Sequence, residues 1–292
     1  MKKVLLVVLV VAAVLAALYF AFRSPEGPIV LAYKFKVGDI SDYRTTMKAK
    51  TDLPFYGAPH RTTVRPAMRR KVLKVNKDGS ASILLSSPQC NGNRYLVPWR
   101  LHDGIKLTVS RTGQVTKPKR FVKFLIENGP PGDYPATALL GYTAVLPRRG
   151  VRVGQTWSAT IPFPVGGGDI GVNSTLVSDR WTLGNRRVCK IESRYEGTLD
   201  AGRIYPKSKT RAMGDPDVSG EIRISGEGTL YFSREEGRVI RHDDKVSMAS
   251  TITEGKPPGA GGSPTGASLT LHVTAEAEYR AVLVEKKSKP GS

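Results

Sequence analysis

Apolar and polar residues alternate along much of the chain, which is the pattern of half-buried β-strands. The longest run covers residues 269–283. Its odd-numbered positions are apolar and share one face: Leu269, Leu271, Val273, Ala275, Ala277, Tyr279, Ala281 and Leu283. At about 3.3 Å per residue this strand reaches about 50 Å, far beyond the usual length of about five or six residues. A strand of this length predicts a wide, curved sheet.

Three further segments support a β fold. Residues 221–232 place six residues on one face: Ile222, Ile224, Gly226, Gly228, Leu230 and Phe232. Two inward glycines predict a bend or the close approach of another element. Residues 188–195 place Cys189, Ile191 and Tyr195 inward, and Asp78-Gly79 predicts a hairpin between two strand-like runs.

Three landmarks occur twice in the same order. Val37-Gly38-Asp39 returns as Val153-Gly154-Gln155, the turn at Asp78-Gly79 returns at Gly184-Asn185, and the hairpin at Gly113 returns at Gly237. This pattern favours duplication of a β unit of about 110 residues, although all-β chains also reuse hairpin chemistry by chance.

These patterns predict a mainly β protein, with a large curved antiparallel sheet or half-open barrel made from two similar units. The units cover residues 29–118 and 147–285. A connector at 119–146 has helical spacing in "RFVKFLIENG", and "YPATALLGYTAV" has Pro135 at a position typical of a first helical turn, so the connector predicts short helices. Residues 286–292 form a tail that we expect to be disordered.

The N-terminus carries an uncharged apolar run, Val4 to Phe22, between Lys3 and Arg23. A helix over this run would span about 30 Å, the thickness of the bilayer core. A cleaved signal peptide and an uncleaved signal anchor both fit. We favour an anchor over residues 1–24, because bulky apolar residues continue beyond the small-residue site at Ala16. The flanking lysines then stay cytoplasmic, which predicts a single-pass envelope protein with its C-terminal domain outside the cytoplasm.

The formal net charge is +20. Such a field attracts anions, so anionic lipid or an acidic envelope polymer is the expected partner, and a merely solvated basic surface is the alternative. Nucleic acid is not expected, because no aromatic stripe accompanies the basic residues.

Motifs for chemistry are sparse. The chain has no His-x-x-x-His or Cys-x-x-Cys pair, no Ser-x-x-Lys pair and no Gly-x-Ser-x-Gly elbow. We therefore assign no metal, cofactor or catalytic residue and favour a non-enzymatic role. Cys90 and Cys189 could form a disulfide, but Cys189 lies on an apolar strand face, which favours a buried thiol.

His242 and Asp244 are the candidate ligand-binding residues. If Ile240 and Val246 face inward, both polar side chains share that apolar face and must find partners or open onto a wet cavity. In the second interpretation, which we favour, the strand ends near Arg241 and the next residues form a solvated turn.

Three stretches, "LAYKFKVGDISDYR", "LPRRGVRVGQTW" and "GEGTLYFSREEGRV", resemble uncharacterised bacterial secreted and lipoprotein β-domain families with Tyr-x-Phe-x-x-Gly-Asp openings. More coarsely, the architecture is similar to the half-open barrels of lipoprotein carriers. The resemblance implies a curved sheet over an apolar cavity and brings no catalytic residue with it.

The sequence as a whole predicts a membrane-anchored extracytoplasmic binding or scaffold protein, with an apolar or lipid-like ligand as one option. An assembly subunit that pairs a sheet edge with a protein partner is the alternative, and an envelope hydrolase is a third interpretation.

The anchor is directly testable. The protein should fractionate with membranes, resist carbonate extraction and be degraded by protease added from outside, because an apolar helix holds it in the bilayer. A soluble product whose mature N-terminus is Ala17 would show instead that the signal is cleaved.

Overall fold

The computed structural model describes residues 27–52, 59–65, 67–89, 104–116, 145–162, 168–201, 217–255 and 269–284. The anchor, the tail and almost all of the connector lie outside these ranges, as does Cys90. No helix in the described part of the chain is long and apolar enough to cross a membrane.

The described residues form twelve strands. In chain order they are β1 (Ile40–Asp52), β2 (His60–Val64), β3 (Ala67–Val75), β4 (Ala81–Gln89), β5 (Ile105–Val109), β6 (Val115–Thr116), β7 (Thr156–Pro162), β8 (Asp169–Leu183), β9 (Arg186–Asp200), β10 (Asp217–Ser233), β11 (Arg238–Gly255) and β12 (Leu269–Leu283). The prediction of a mainly β protein is confirmed.

All twelve strands belong to one antiparallel sheet. Their order is β6-β5-β4-β3-β1-β12-β11-β10-β9-β8-β7, and β2 pairs with β1 beside this path. The long ladder between β1 and β12 joins the first strand to the last. Among the described strands no ladder connects β6 with β7, so the sheet is not closed.

Alternation along the strands is confirmed where the sequence predicted it. In β12 the even-numbered residues from Thr270 to Val282 are exposed, while Tyr279 and Ala281 on the other face are buried. In β10 the inward side chains from Ile222 to Phe232 are buried or half-buried. The hairpin at Asp78-Gly79 is also confirmed, between β3 and β4. The face with the buried residues is called the inner face below.

Apolar residues of the inner face form three clusters. One covers β1, β3, β4, β5 and β12 and includes Tyr43 and Ile83. A second covers β8, β9 and β10 at the end where the β10–β11 turn lies, and a third covers β8 to β11 further along the same strands. Cys189 belongs to the second cluster as a free thiol, and burial raises its pKa to about 11.

Residues 27–39, called the strap, cross the ends of the strands before β1 begins. The backbone amide of Tyr33 donates to the carbonyl of Arg111 at 2.8 Å, and that of Lys34 donates to Gly237 at 3.0 Å. Ile29, Leu31 and Tyr33 are buried in the second cluster, and Phe35 packs against both the first and the second. The strap therefore connects turns from both parts of the sheet.

A second strap, residues 145–155, lies beside the first. The amide and carbonyl of Ile29 exchange hydrogen bonds with those of Val151 at 2.7 and 2.9 Å. The two Val-Gly turns that end the straps are bonded alike. In the first turn the amide of Gly38 donates to the carbonyl of Val72, and the amide of Val72 donates to the carbonyl of Asp39. In the second turn the amide of Gly154 donates to the carbonyl of Leu176, and the amide of Leu176 donates to the carbonyl of Gln155.

Alternation within the strap gives a matched test of its role. Leu31 is 1% exposed and Val30 is 66% exposed. Leu31→Asp should lower the free energy of unfolding by about 3 kcal/mol or more, because it buries a carboxylate in the second cluster. Val30→Asp should change it by less than about 0.5 kcal/mol. Denaturant unfolding of the full chain in detergent measures both, and equal losses would mean that the strap does not seal the core.

Candidate functional site

His242 and Asp244 lie on the inner face of β11. The strand runs without interruption from Arg238 to Gly255, so the favoured interpretation, in which it ended near Arg241, is wrong. His242 is 2% and Asp244 3% exposed, and both share the face of the buried Ile240 and Val246. The backbone continues because each residue from Arg241 to Glu254 is paired with β12.

The two side chains contact each other directly. His242 Nε2 lies 2.9 Å from Asp244 Oδ1, and the hydroxyl of Tyr195 on β9 donates to the same oxygen at 3.0 Å. The His242 ring also packs edge-on against Tyr279, with 6.2 Å between centroids. Asp244 Oδ2 has no hydrogen-bond partner among the described residues. A buried carboxylate is thus held by two donors from two strands.

The hydrogen bonds continue across the sheet to β8. Tyr195 bonds to Ser193, its neighbour on the same face. The hydroxyls of Ser193 and Ser174 lie 2.8 Å apart. The buried polar network, defined as Ser174, Ser193, Tyr195, Asp244 and His242, separates the second and third apolar clusters.

Gly228 on β10 makes this network possible. It lies between Asp244 and Ser193 in the register of the sheet. A Cβ atom at Gly228 would lie 2.6 Å from the Tyr195 hydroxyl and would overlap the Asp244 carboxylate. A side chain at this position would therefore push the Tyr195 hydroxyl and the Asp244 carboxylate apart. The inward glycine predicted a close approach from the sequence, and the groups that approach it are Tyr195 and Asp244.

The chemistry of the network is that of fixed donors and acceptors. Burial, followed by the charge and hydrogen bond of Asp244, raises the pKa of Tyr195 well above its usual value. Tyr195 therefore stays protonated and donates. The Asp244 side chain is fully enclosed, so no ligand reaches it without displacing neighbouring groups. In the described residues no group of His, Cys, Asp and Glu side chains could hold a metal ion.

An accessible concavity lies on the opposite face of the same strands. It is a groove of about 950 Å³ lined by residues of seven successive strands, β7 to β12 and β1. Since one groove contacts all seven strands, the outer face is concave there. Its floor includes Gly228 and Asp244, whose neighbours Thr229 and Asp243 point into the groove.

Two rows of side chains line this groove, each running across the strands in register. The first row is Lys48, Glu278, Lys245, Glu227, Arg194 and Asn173. The second row is Thr46, Arg280, Asp243, Thr229, Glu192, Thr175 and Thr156.

Charges in the rows cancel. From Lys48 to Arg194 the first row alternates in sign at every strand, with Lys48 and Glu278 3.8 Å apart. In the second row Arg280 Nε donates to Asp243 Oδ1 at 2.6 Å. Four basic and four acidic side chains give the rows no net charge, in a protein whose formal charge is +20. The alternating pattern of each strand identified these residues as outward-facing. Their alignment into rows depends on how neighbouring strands pair, which the alternation does not determine.

Comparisons with known proteins give little. No family model matches the chain, and no curated protein matches it. One solved structure with some similarity is OmpTdeltaL8, a loop L8 deletion mutant of the outer membrane protein OmpT of Vibrio cholerae. It is 11% identical, covers 85% of this chain and 100% of its own, and has a TM-score of 0.23. A score this low does not bear on fold or function.

Glycine substitutions test the buried polar network. Gly228→Ala should lower the free energy of unfolding by about 1–3 kcal/mol, because the new methyl group displaces Asp244 and Tyr195. Gly171→Ala on β8 is the matched control, since its Cβ would have only an ordinary contact at 3.4 Å with a backbone oxygen. Urea unfolding measures both variants, and a Gly228→Ala protein as stable as the control would contradict the packing of the network.

Proposed function

We propose that this protein is a membrane-anchored extracytoplasmic binding or scaffold protein whose ligand lies in the groove on the outer face. The observation that carries the proposal is the groove itself, about 950 Å³ and lined by seven successive strands. A concave sheet of this kind places many side chains around one ligand. Strand pairing holds the backbone that carries these side chains in place.

The sequence supports the proposed location. Val4 to Phe22 is apolar and uncharged, and Lys2 and Lys3 precede it. The positive-inside rule then places the sheet outside the cytoplasm. This supports an envelope location for the groove.

The groove is suited to a polar ligand. Its rows combine hydroxyl and amide groups with charges that cancel, so they offer both donors and acceptors without a net field. Six strand spacings of about 4.8 Å give a length of about 29 Å, which is enough for several units of a polymer. Of the partners expected from the sequence an envelope polymer fits best, and the cancelling charges favour a polymer of low net charge over the acidic one that the net charge suggested.

An apolar or lipid-like ligand is a second candidate, supported by a different surface. On the inner face of β12, Val273, Ala275 and Ala277 are only half-buried, and so is Met248 on β11. These side chains form an apolar strip that a lipid chain could cover.

A hydrolase has less support from the geometry. His242 and Asp244 are in direct contact, as an acid–base pair would be, but both are enclosed. Their neighbours are a tyrosine that stays protonated and an apolar core, which fits a structural role.

We also propose that the chain arose by tandem duplication. The two Val-Gly turns share the same hydrogen bonds, and all three pairs of landmark glycines have positive φ angles: Gly38 and Gly154, Gly79 and Gly184, Gly113 and Gly237.

A groove-filling variant tests the proposed ligand site. Thr229 points into the groove, while Ser225 faces outward on the same strand beyond it. Thr229→Trp should weaken binding of soluble peptidoglycan strands at least about tenfold by occupying the groove, and Ser225→Trp should not. Calorimetry on the full chain in detergent, with dextran as a neutral and polyglutamate as an acidic probe, measures the effect.

Other outcomes point elsewhere. Tightest binding to polyglutamate, unaffected by Thr229→Trp, would show that the basic surface binds anions without the groove. Co-purified lipid in native mass spectrometry, together with no polymer binding, would favour the apolar strip.

A further inference from the structure

We infer that the outer face of the two straps rests on anionic lipid head groups of the membrane that anchors the chain. This inference rests on the proposed membrane anchor and names a second partner, distinct from the ligand of the groove. It is supported by side-chain exposure, charge and chain length.

The outer face of the straps is apolar at several points. Opposite the buried Leu31, Val30 is 66% exposed, and Val37 and Val153 are 60% and 50% exposed. Exposed valines at the edge of a domain are suited to shallow contact with the boundary between head groups and acyl chains. They contribute nothing to the core, which lies on the other side of the straps.

Basic residues surround these valines. Within the ranges 27–39 and 145–155 the exposed basic residues are Lys34, Lys36, Arg148, Arg149 and Arg152, and the only acidic residue is Asp39. The bonds between Ile29 and Val151 bring the two straps together, so the basic residues share one surface. The turns that the straps contact add Arg111 and Arg234, both exposed, against the exposed Glu235. This surface is strongly positive, in contrast to the neutral groove.

Chain length places this surface close to the bilayer. The apolar run ends at Arg23 and the strap joins Val151 at Ile29, six residues later. Six extended residues reach at most about 20 Å. Lys50 lies ten residues along β1 from the end of that strand that follows the strap. This places it about 33 Å from the strap. Attraction to anionic lipid falls off within about 8 Å, so only the strap end can benefit from it.

A distance measurement on the full chain tests this orientation. In a Cys90→Ser background a fluorophore is attached at Val37→Cys or at Lys50→Cys, since Cys189 is buried. The protein is reconstituted into vesicles of phosphatidylcholine alone or with about a third phosphatidylglycerol, each containing a head-group spin-labelled lipid as quencher. We expect at least about threefold stronger quenching at position 37 than at position 50 in the anionic vesicles, falling with added salt.

Charge reversal provides the matched controls. Arg148→Glu/Arg149→Glu/Arg152→Glu should abolish the excess quenching at position 37. Arg61→Glu/Arg65→Glu/Arg223→Glu, which reverses three exposed arginines outside the straps, should leave it unchanged. Arg61 and Arg223 lie far from the strap ends of their strands, and Arg65 follows β2. Thermal melts of both variants should match the parent, because all six side chains are exposed.

Two results would overturn the inference: equal quenching at the two positions in anionic vesicles, or full quenching at position 37 after reversal of the strap arginines. A separate flotation experiment with neutral vesicles shows whether the proposed anchor holds the chain in a bilayer. If the chain does not float, the same labelled proteins are mixed as soluble chains with anionic vesicles, and quenching still reports whether the strap face binds. Equal quenching at positions 37 and 50 in that experiment would also reject the inference.

Discussion

The fold depends on the strap, which covers the core at one end of the strands in a sheet that has two free edges. Its amides bond to Arg111 and Gly237, which belong to turns on opposite sides of the β1–β12 ladder. Tyr33 packs edge-on against Phe232 and stacks on Phe35, and the Arg70 guanidinium lies 5.8 Å from the centre of the Tyr33 ring. Besides this segment, the first and second clusters are joined by the pairing of β1 with β12, by the bond from the Leu146 amide to Thr112 at 2.8 Å and by the bond from the Tyr43 hydroxyl to Val239 at 3.1 Å.

The sheet separates two chemistries on its two faces. The inner face carries apolar clusters interrupted by the buried polar network, and the outer face carries the charged rows. Two successive residues of β11 lie on opposite faces. Asp244 on the inner face is bonded to His242 and Tyr195, and Asp243 on the outer face accepts a hydrogen bond from Arg280 in the groove. Slippage of β11 by one residue would place Asp243 in the core and Asp244 in the groove. The network, which forms in only one register, therefore also fixes the groove.

Much of the fold could be predicted from the sequence, because period-two alternation determines which residues of a long strand are buried. The β12 strand and the inward positions of β10 are examples. The order of the strands could not be predicted, since alternation does not state which strands pair, and the β1–β12 ladder joins residues more than two hundred positions apart.

The site was harder to predict for two reasons. A histidine and two aspartates in succession are typical of a solvated turn, and burial of Asp244 depends on its contacts with His242 and Tyr195 and on the space at Gly228. The groove had no local signal, because its rows run across seven strands. The sequence did indicate that Gly226 and Gly228 approach another element closely.

Hydrogen exchange of individual strap amides tests most directly whether the strap closes the sheet. If it does, the amides of Ile29, Tyr33 and Lys34 should exchange only through the global unfolding that also exposes the amides of the β10–β11 ladder, so both sets should show the same opening free energy and the same denaturant dependence. Strap amides that exchange orders of magnitude faster, while the β10–β11 amides stay protected, would show that the strap opens by itself and that the sheet does not depend on it.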